Sequence, residues 1–493
     1  MGSSKGKKRW IKYRHRVVRN IAYAVLSPYA KIKYGIHVER FKEQGKRPYL
    51  ILMNHQTAFD QFFIGMTFKG AVYYVASEDL FSNGWVSSLL RWLVAPIPIK
   101  KQTADVSAVL ACARGAKEGG TIAIAPEGNR TYSGRTGYMN PAIASLAMHL
   151  KLPIALVRIE GGYGVQPRWS DVVRKGSMRV GVARVIEPQE YEKMSKQELL
   201  SEIETTLRVD EAKADGTYKS AELAQYLERA MYVCPYCGLS EFESRGCEIE
   251  CKKCGRKIRY GTDKRLSGVG FDFPFEFVGG WYDYQEEFVR KLDLDKYIDS
   301  PIYKDTANLS RVIVYKRKER LCENASVELY GDKIIISGEG LEKMILSFDE
   351  VSAVTVLGRN KLNIYHGKDL YQLKGGKRFN ALKYVNIYYC RKDFIQDHPI
   401  LGRGKAIMVE CPIISFFTDF DGYVTYGAFS NYLYENYGNY ITLRDDGTFA
   451  TYDDGTYVIY FNFASGVEIS ASTLIGDGNI VICEEQEYYR DKL

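Results

Sequence analysis

The sequence lacks several features, and each absence excludes a class of protein. No stretch reaches the roughly 18 uninterrupted apolar residues that a membrane-spanning helix needs, and the best early run, Val17–Leu26, is short and contains Arg19. That run also lacks a small-residue cleavage site, so we expect neither a spanning helix nor a secretory signal peptide. Ten cysteines in 493 residues are too few for a disulfide scaffold, and an apolar content of 46% excludes a largely disordered chain.

Acidic residues are nearly absent from the first 50 positions, which hold 14 Lys or Arg and only Glu39 and Glu43. These positions carry a net charge of +12, whereas the whole chain carries +8. Between residues 5 and 19 the cations interleave with apolar and aromatic residues, as in a helix on an anionic membrane surface. We therefore predict a basic amphipathic membrane-binding segment over residues 1–47. A solvated tail and a nucleic-acid-binding tail are the alternative interpretations.

Strand-like and helix-like patterns alternate between residues 48 and 190. The predicted strands are Tyr49–Met53, Ala71–Ala76, Thr121–Ala125 and Ile154–Ile159, and the predicted helices are Thr103–Lys117 and Pro141–Lys151. This alternation favours an α/β domain, with a mainly parallel sheet flanked by helices.

The first of two polar motifs, Asn54-His55-Gln56-Thr57-Ala58-Phe59-Asp60, follows the first predicted strand. A histidine at the carboxyl end of a parallel strand lies where α/β sheets place their ligands. Side chains five residues apart on a regular helix point about 140° apart, so a turn must bring His55 and Asp60 together. Asp60 would then orient the imidazole, leaving its other nitrogen as a general base. An ordinary hydrogen-bonded histidine is the alternative interpretation.

The second motif, Ala125–Thr131, leaves another strand of the same predicted sheet. Gly128 lets the backbone approach a ligand closely, and the planar donor fork of Arg130 suits a phosphate. Thr131 can add a hydroxyl donor. Glu127 either holds Arg130 in place or takes a substrate hydroxyl. A surface turn with an incidental ion pair is the alternative interpretation.

Together the two motifs resemble the lysophosphatidic acid acyltransferase family, the glycerolipid acyltransferases. The shared pattern is Asn-His-x-x-x-x-Asp, followed some 70 residues later by Pro-Glu-Gly-x-Arg. Ile97–Lys101 stands at the position of an intermediate block, with Lys where the family usually shows Arg, and Leu152–Ala155 matches a later Pro-containing strand. The resemblance covers roughly residues 30–190. Asn129 replaces the more usual Thr, and Gly137–Ala142 lacks the family's Lys-Gly element.

The resemblance implies a reaction and a role for each motif residue. His55, held by Asp60, would deprotonate an acceptor hydroxyl as it attacks a thioester carbonyl, with no acyl-enzyme. The donor would be acyl-CoA or acyl carrier protein, and the acceptor a lysophospholipid, by default lysophosphatidic acid converted to phosphatidic acid. The residues expected to hold the acceptor phosphate are Glu127, Gly128, Arg130 and Thr131, assisted by Lys100 or Lys101. Because acceptor and product are lipids, we expect a cytoplasmic protein, peripheral on the inner face of a membrane.

A cysteine cluster at residues 233–262 predicts a zinc ribbon. Two Cys-x-x-Cys-Gly knuckles, Cys234/Cys237 and Cys251/Cys254, have the spacing of a closed tetrahedral site that holds structural zinc. Cys247 is a spare thiol, and paired redox thiols are the alternative. Basic residues crowd this segment, and they suit nucleic acid or anionic lipid equally well.

The remaining segments are defined by composition and pattern. We predict a helical linker at 191–232, an irregular aromatic-rich connector at 263–309, a pleckstrin-homology-like domain at 310–393 and an acidic β-rich tail at 394–493. In the tail, hairpins are predicted at Asp446-Gly447, Asp454-Gly455 and Asp477-Gly478.

The overall prediction is a glycerolipid O-acyltransferase. Two other classes stay open: a non-catalytic membrane-docking protein that retains the fold, and a nucleic-acid-binding protein centred on the ribbon. The intact His55/Asp60 and Glu127/Arg130 pairs argue against the docking protein, and we do not expect nucleic acid as a partner.

Overall fold

The structure, a computed structural model, covers most of the chain. It describes residues 9–43, 47–82, 84–99, 106–213, 215–313 and 316–392, together with six strands between residues 399 and 474. Lys100 and Lys101, predicted to assist phosphate binding, lie outside the described residues, as do the three predicted Asp-Gly hairpin turns of the tail.

A seven-stranded sheet organises the first part of the chain. Its strands are β1 (Ile36–Val38), β2 (Leu50–Met53), β3 (Val72–Ser77), β4 (Ile97–Ile99), β5 (Thr121–Ile124), β6 (Ile154–Glu160) and β7 (Met178–Ile186). Their order across the sheet is β1-β7-β6-β2-β5-β3-β4. Strands β6 and β7 pair antiparallel, whereas the other neighbours pair in parallel. The predicted α/β fold with a mainly parallel sheet is confirmed.

Helices precede or follow most strands of this sheet along the chain. They are α1 (Tyr13–Tyr34), α2 (Asp60–Thr67), α3 (Trp85–Val94), α4 (Val106–Lys117), α5 (Ala142–Leu150), α6 (Gly162–Val165), α7 (Pro188–Tyr191) and α8 (Lys196–Leu207), with a 3₁₀ turn at Glu78–Phe81. The apolar residues of β2 are fully buried, as expected for a central parallel strand. Among the described residues of the segment predicted as a helical linker, the α-helix is α8, which begins at a Ser195/Glu198 capping box, and Leu227–Arg229 forms a 3₁₀ turn.

Helix α1 is anchored to the sheet at both of its ends. The backbone N–H groups of Trp10 and Ile11 donate to Glu118 Oε2 at 2.7 and 2.8 Å. At the other end Gly35 adopts φ +58°, and a Cβ there would lie 2.1 Å from the carbonyl oxygen of Gly176. Only glycine fits this C-terminal cap of α1, and β1 begins at the next residue.

The cysteine region forms a small antiparallel unit followed by a helix. Its strands are β8 (Val233–Cys234), β9 (Gly238–Leu239), β10 (Phe242–Arg245), β11 (Glu248–Cys251), β12 (Lys257–Tyr260) and β13 (Leu266–Gly268). The predicted irregular connector at 263–309 is wrong in part, because it contains β13 and helix α9 (Val278–Arg290). Trp281, Gln285 and Val289 are buried at helical spacing, and this burial stabilises α9 despite Gly279 and Gly280 in its first turn.

A second seven-stranded sheet, antiparallel throughout, follows. Its strands are β14 (Tyr303–Ile313), β15 (Arg317–Leu329), β16 (Lys333–Gly338), β17 (Leu341–Ser347), β18 (Val351–Leu357), β19 (Lys361–His366) and β20 (Asp369–Gly375), and α10 (Leu382–Lys392) closes it. The order β17-β16-β15-β14-β20-β19-β18 joins two meanders through the β14–β20 pair. Strands followed by one helix occupy the region predicted at 310–393, and the sheet already starts at Tyr303. The pleckstrin-homology likeness stays a prediction.

One hydrophobic core joins these segments. It includes Tyr132 and Trp169 of the first domain, Ile258 of the cysteine region, and Val354 and Tyr388 of the second sheet and its helix. The second sheet therefore packs against the same interior as the loops that leave the first sheet.

The described residues of the tail form six strands. They are β21 (Pro399–Leu401), β22 (Val424–Thr425), β23 (Ile441–Leu443), β24 (Phe449–Asp453), β25 (Tyr457–Asn462) and β26 (Glu468–Leu474). Strands β23 to β26 pair in order as an antiparallel meander.

Candidate active site

The turn between β2 and α2 brings His55 and Asp60 into direct contact. His55 Nδ1 lies 2.8 Å from Asp60 Oδ2, because Asp60 opens α2 immediately after a tight turn. Asn54 anchors the start of this turn: its side-chain amide exchanges two 2.8 Å hydrogen bonds with the backbone of Ile159 on β6. The turn therefore brings His55 and Asp60 together, as the sequence analysis required.

Asp60 is a buried carboxylate surrounded by donors. The N–H groups of Gln56 and Thr57 donate to it at 2.6 and 2.9 Å, and Thr57 Oγ1 donates at 2.6 Å. These hydrogen bonds replace the water that the buried anion has lost. Since a carboxylate only accepts, the proton of a neutral His55 sits on Nδ1, and Nε2 is the free basic nitrogen.

His55 is held in its neutral form. Burial lowers its pKa from the ordinary value, and the positive charges of Arg130 and Arg168 act in the same direction, against the opposing effect of Asp60. Its side chain is still 16% exposed, whereas that of Asp60 is fully buried. The imidazole can therefore meet a substrate as a base while its partner stays sealed off.

Glu127 connects the two polar motifs through the backbone. Its Oε1 accepts the N–H of His55 at 2.8 Å, and its Oε2 accepts the N–H of Gly137 at 2.7 Å. Burial raises the pKa of Glu127 to about 7, although these two hydrogen bonds oppose the shift. The structure thus gives Glu127 contacts different from either predicted one: its oxygens meet backbone amides rather than the Arg130 guanidinium.

Gly128 and Thr131 shape the loop in different ways. Gly128 has φ +65° and open space where a Cβ would project, so the backbone there is accessible to a ligand. Thr131 is buried, and its Oγ1 accepts the N–H of Gly134 at 3.0 Å. Its own N–H donates to the carbonyl of His55 at 3.3 Å. The sequence predicts that the Thr131 hydroxyl donates to a ligand. In this structure the hydroxyl contacts the backbone of its own loop and stabilises it.

Arg130 carries a buried positive charge beside His55. Burial lowers its pKa to about 10, and the charges of Arg168 and Arg359 add to this effect. Its Nη1 is shielded from solvent and has no hydrogen-bond partner among the described residues. A buried guanidinium nitrogen without a hydrogen-bond partner is a feature expected of an anion site.

Arg168 and Arg359 are two residues near the site that the sequence motifs do not mark. Arg168 Nη1 donates to the carbonyl of Arg130 at 2.8 Å, and its Nε and Nη2 each donate at 3.2 Å to carbonyls of the β18–β19 region, those of Gly358 and Val356. Arg359 follows Gly358 in this turn. No local pattern could have indicated this contact, because about 190 residues separate its partners in the chain.

The four predicted cysteine ligands converge at a separate place. The Sγ atoms of Cys234, Cys237, Cys251 and Cys254 all lie within 4.8 Å of one another. The Cys234–Cys254 and Cys237–Cys251 sulfur pairs are 3.8 and 3.5 Å apart. A tetrahedral zinc site with bonds of about 2.3 Å requires sulfurs about 3.8 Å apart, so these residues fit the ion. Cys247 faces the carbonyl of Ala221 instead and is not part of the cluster.

Helices α1 and α3 present an exposed apolar face. On α1 the exposed residues recur every three or four positions: Tyr13, Val17, Ile21, Val25, Tyr29 and Ile32. On α3 they are Trp85, Val86, Leu89, Trp92 and Val94. The two helices touch where the Arg14 guanidinium stacks on the Trp92 ring. None of the helices in the described ranges is both long and apolar enough to cross a bilayer.

Comparisons with known proteins concern the first domain. Residues 34–160 match the family model described as Acyltransferase. Among solved structures, the chain is similar to the 1-acyl-sn-glycerophosphate (LPA) acyltransferase PlsC from Thermotoga maritima, with 19% sequence identity, a TM-score of 0.33, and coverage of 40% of this chain and 82% of that one. None of the curated proteins matches the chain. The family match spans the His55/Asp60 and Glu127/Arg130 motifs, and it confirms the acyltransferase resemblance.

Proposed function

We propose, from the premise that residues 34–160 are an acyltransferase domain, that this protein moves a fatty acyl group from a thioester donor to the hydroxyl of a lysophospholipid. The donor is acyl-CoA or acyl carrier protein, and the default acceptor is lysophosphatidic acid, converted to phosphatidic acid. The observation that carries the proposal is the 2.8 Å contact between His55 Nδ1 and buried Asp60.

The reaction follows from the position of the free imidazole nitrogen. His55 Nε2 takes the proton of the acceptor hydroxyl as its oxygen attacks the thioester carbonyl, and Asp60 stabilises the resulting imidazolium. The tetrahedral intermediate collapses, the carbon–sulfur bond breaks, and the imidazolium returns the proton to the leaving thiolate. General-base assistance of this kind contributes roughly 10²- to 10⁴-fold.

The acceptor is proposed to bind beside this base. Arg130 offers an unsatisfied buried donor for its phosphate, and the open backbone at Gly128 leaves room for the ligand. Glu127 acts indirectly, by holding the His55 turn and the Arg130 loop together.

Membrane docking is proposed for the apolar face of α1 and α3. Tyr13, Ile21 and Trp85 are each at least 60% exposed, and burying such side chains in the headgroup region would stabilise the bound state. Arg16, Lys31 and Lys33 on α1 add attraction to anionic lipid. On this basis we propose a peripheral protein on the cytoplasmic face of the membrane.

Structural zinc is proposed for the four-cysteine cluster, where it would hold β8–β9 against β11. The basic residues nearby support a folding role rather than nucleic-acid binding, because glutamates on the paired strands neutralise them. Arg259 pairs with Glu248 at 2.7 Å, and Lys252 pairs with Glu243 at 2.7 Å.

The experiment that tests the proposal is transfer from labelled acyl-CoA to lysophosphatidic acid on anionic vesicles, with wild type beside His55→Ala. We expect transfer by the wild type and a loss of at least about 100-fold in the variant. His149→Ala, an exposed histidine on α5, is the matched control and should retain activity. A wild type that is inactive with acyl-CoA, acyl carrier protein donors and other lysolipids would favour the non-catalytic docking protein instead.

A further inference from the structure

Three arginines from distant parts of the chain converge around Arg130, the residue next to His55 in the site. Arg130 lies in the loop after β5, Arg168 follows α6, and Arg359 lies in the turn between β18 and β19. Arg168 connects the other two, because it donates to the Arg130 carbonyl at 2.8 Å and to the carbonyl of Gly358, next to Arg359, at 3.2 Å. One side chain thus fixes the turn of the second sheet against the loop of the acyltransferase domain.

The charges of this cluster do not balance. Asp171 is the carboxylate partner of Arg359, at 3.0 Å, and it is shared with Arg229 at 2.7 Å. Within the described ranges, neither Arg130 nor Arg168 forms an ion pair with a carboxylate. The other acids nearby are already engaged, since Glu127 accepts two backbone amides and Asp60 accepts His55 and its own turn. The four arginines, Arg130, Arg168, Arg229 and Arg359, therefore outnumber the acids beside them, Asp171, Asp60 and Glu127, which leaves a net positive charge.

Two of these arginines also have unused donors. Arg130 Nη1 and Arg359 Nε are both shielded from solvent, and neither has a hydrogen-bond partner among the described residues. Burial raises the pKa of the Tyr34 hydroxyl to about 12, and the positive charges of Arg359 and Arg130 both oppose this shift. A buried donor without an acceptor is costly, so an acceptor-rich ligand is expected there.

We propose that Arg359, carried by the β18–β19 turn, binds the acceptor phosphate together with Arg130, so that the second sheet completes the acceptor site. This inference rests on the proposed function. Planar guanidinium forks from two sides match the three terminal oxygens and double charge of a phosphate monoester. A phosphodiester headgroup has one charge and fewer free oxygens, so the site should prefer lysophosphatidic acid to lysophosphatidylcholine.

The alternative role for Arg359 is a brace that ties the turn to Asp171. The two roles separate in a pair of variants. Arg359→Gln removes the guanidinium, whereas Asp171→Asn removes the brace and leaves the guanidinium available. A brace predicts the same defect in both variants, and a phosphate-binding residue predicts a defect in Arg359→Gln that Asp171→Asn does not share.

The direct test is calorimetric titration of the full chain with glycerol 3-phosphate, which needs neither membrane nor catalysis. We expect the dissociation constant to rise at least about tenfold in Arg359→Gln, to rise less in Arg359→Lys, and to stay within about twofold in Asp171→Asn. Arg320→Gln, a mostly exposed arginine of β15, is the matched control and should bind as the wild type does. Unchanged binding by Arg359→Gln, or no measurable binding by the wild type, would overturn the inference.

A second arm ties the site to the acceptor. Kinetics with lysophosphatidic acid and lysophosphatidylcholine should show a raised KM for the first and a reduced preference between the two in Arg359→Gln, with kcat less affected. Inorganic phosphate that binds without competition from lysophosphatidic acid would overturn the acceptor assignment. If no lysolipid is acylated at all, the proposed function fails, while the Arg359-dependent binding of glycerol 3-phosphate still decides this inference.

Discussion

Glu127 Oε1 accepts the backbone N–H of His55 at 2.8 Å, so a residue of the motif proposed to bind phosphate also fixes the turn that carries the proposed base. The two motifs lie 72 residues apart in the chain and on neighbouring strands of the sheet. A change in Glu127 should therefore alter the geometry of the base as well as acceptor binding.

The raised pKa of Glu127 predicts a pH-dependent stability. Its folded-state pKa of about 7 exceeds the ordinary 4.5 because of burial, so between these values the folded state binds more proton than the unfolded chain. The free energy of unfolding should then fall by up to about 1.4 kcal/mol per pH unit as pH rises through this window. Denaturant unfolding of wild type and Glu127→Gln from pH 5 to 8 measures the difference. If the free energy of unfolding of the wild type, relative to that of Glu127→Gln, stayed constant or grew with pH, the raised pKa of Glu127 would be contradicted.

Asp60→Asn keeps the proposed base, His55, but removes the negative charge of its partner. Asparagine no longer stabilises the imidazolium, so we expect kcat to fall by roughly 10²- to 10⁴-fold. The charge of Asp60 raises the His55 pKa, so its loss should lower that pKa and shift the acidic limb of the kcat profile to lower pH. Asp299→Asn, an exposed aspartate, is the control. An unchanged kcat, or a limb that moves to higher pH, would be incompatible with the proposed pairing.

Membrane docking predicts a loss of vesicle binding when the apolar face is made polar. Ile21→Ser with Trp85→Ser removes one side chain from each helix, and we expect binding to phosphatidylglycerol vesicles to weaken at least about tenfold. Ile345→Ser changes an exposed apolar residue on β17 and serves as the matched control. Sedimentation with vesicles measures the binding of each variant. If Ile345→Ser weakened binding as much as the double variant, the argument for a specific membrane-binding face would fail.

The four-cysteine cluster predicts one zinc ion per chain. Cys254→Ser should lose the metal and lower the thermal stability, because a structural zinc site contributes directly to folding. Cys247→Ser, from the same segment but outside the cluster, should keep both. Metal analysis of reduced protein measures the content, and metal-free wild type of full stability would rule the site out.

The local parts of the site could be predicted from the sequence. His55 and Asp60 are five residues apart and follow a short apolar strand, so one turn suffices to join them. The contacts of Glu127 could not be predicted, because a carboxylate beside an arginine suggests an ion pair, whereas its oxygens accept the backbone N–H groups of His55 and Gly137.

Two other features were missed for different physical reasons. Trp85, Leu89 and Trp92 have helical spacing in the sequence, but an apolar face that points outward has the same periodicity as one that packs on a core. Arg359 has no local signal at all, since its position beside Arg130 depends on how two sheets pack. Only tertiary structure reveals such a neighbour.

The shared interior also bears on synthesis of the chain. At about 5–20 residues per second, a ribosome delivers the β18–β19 turn some 10 to 50 seconds after Arg130. During that interval Arg168 has no carbonyl of Gly358 to bind, and Tyr132 and Trp169 lack the partners that later bury them. The proposed acceptor site of the nascent first domain therefore lacks Arg359 during this interval. A message truncated before this turn would encode His55 and Asp60 in a polypeptide whose Tyr132 and Trp169 lack their core partners, and apolar surface exposed in this way promotes aggregation.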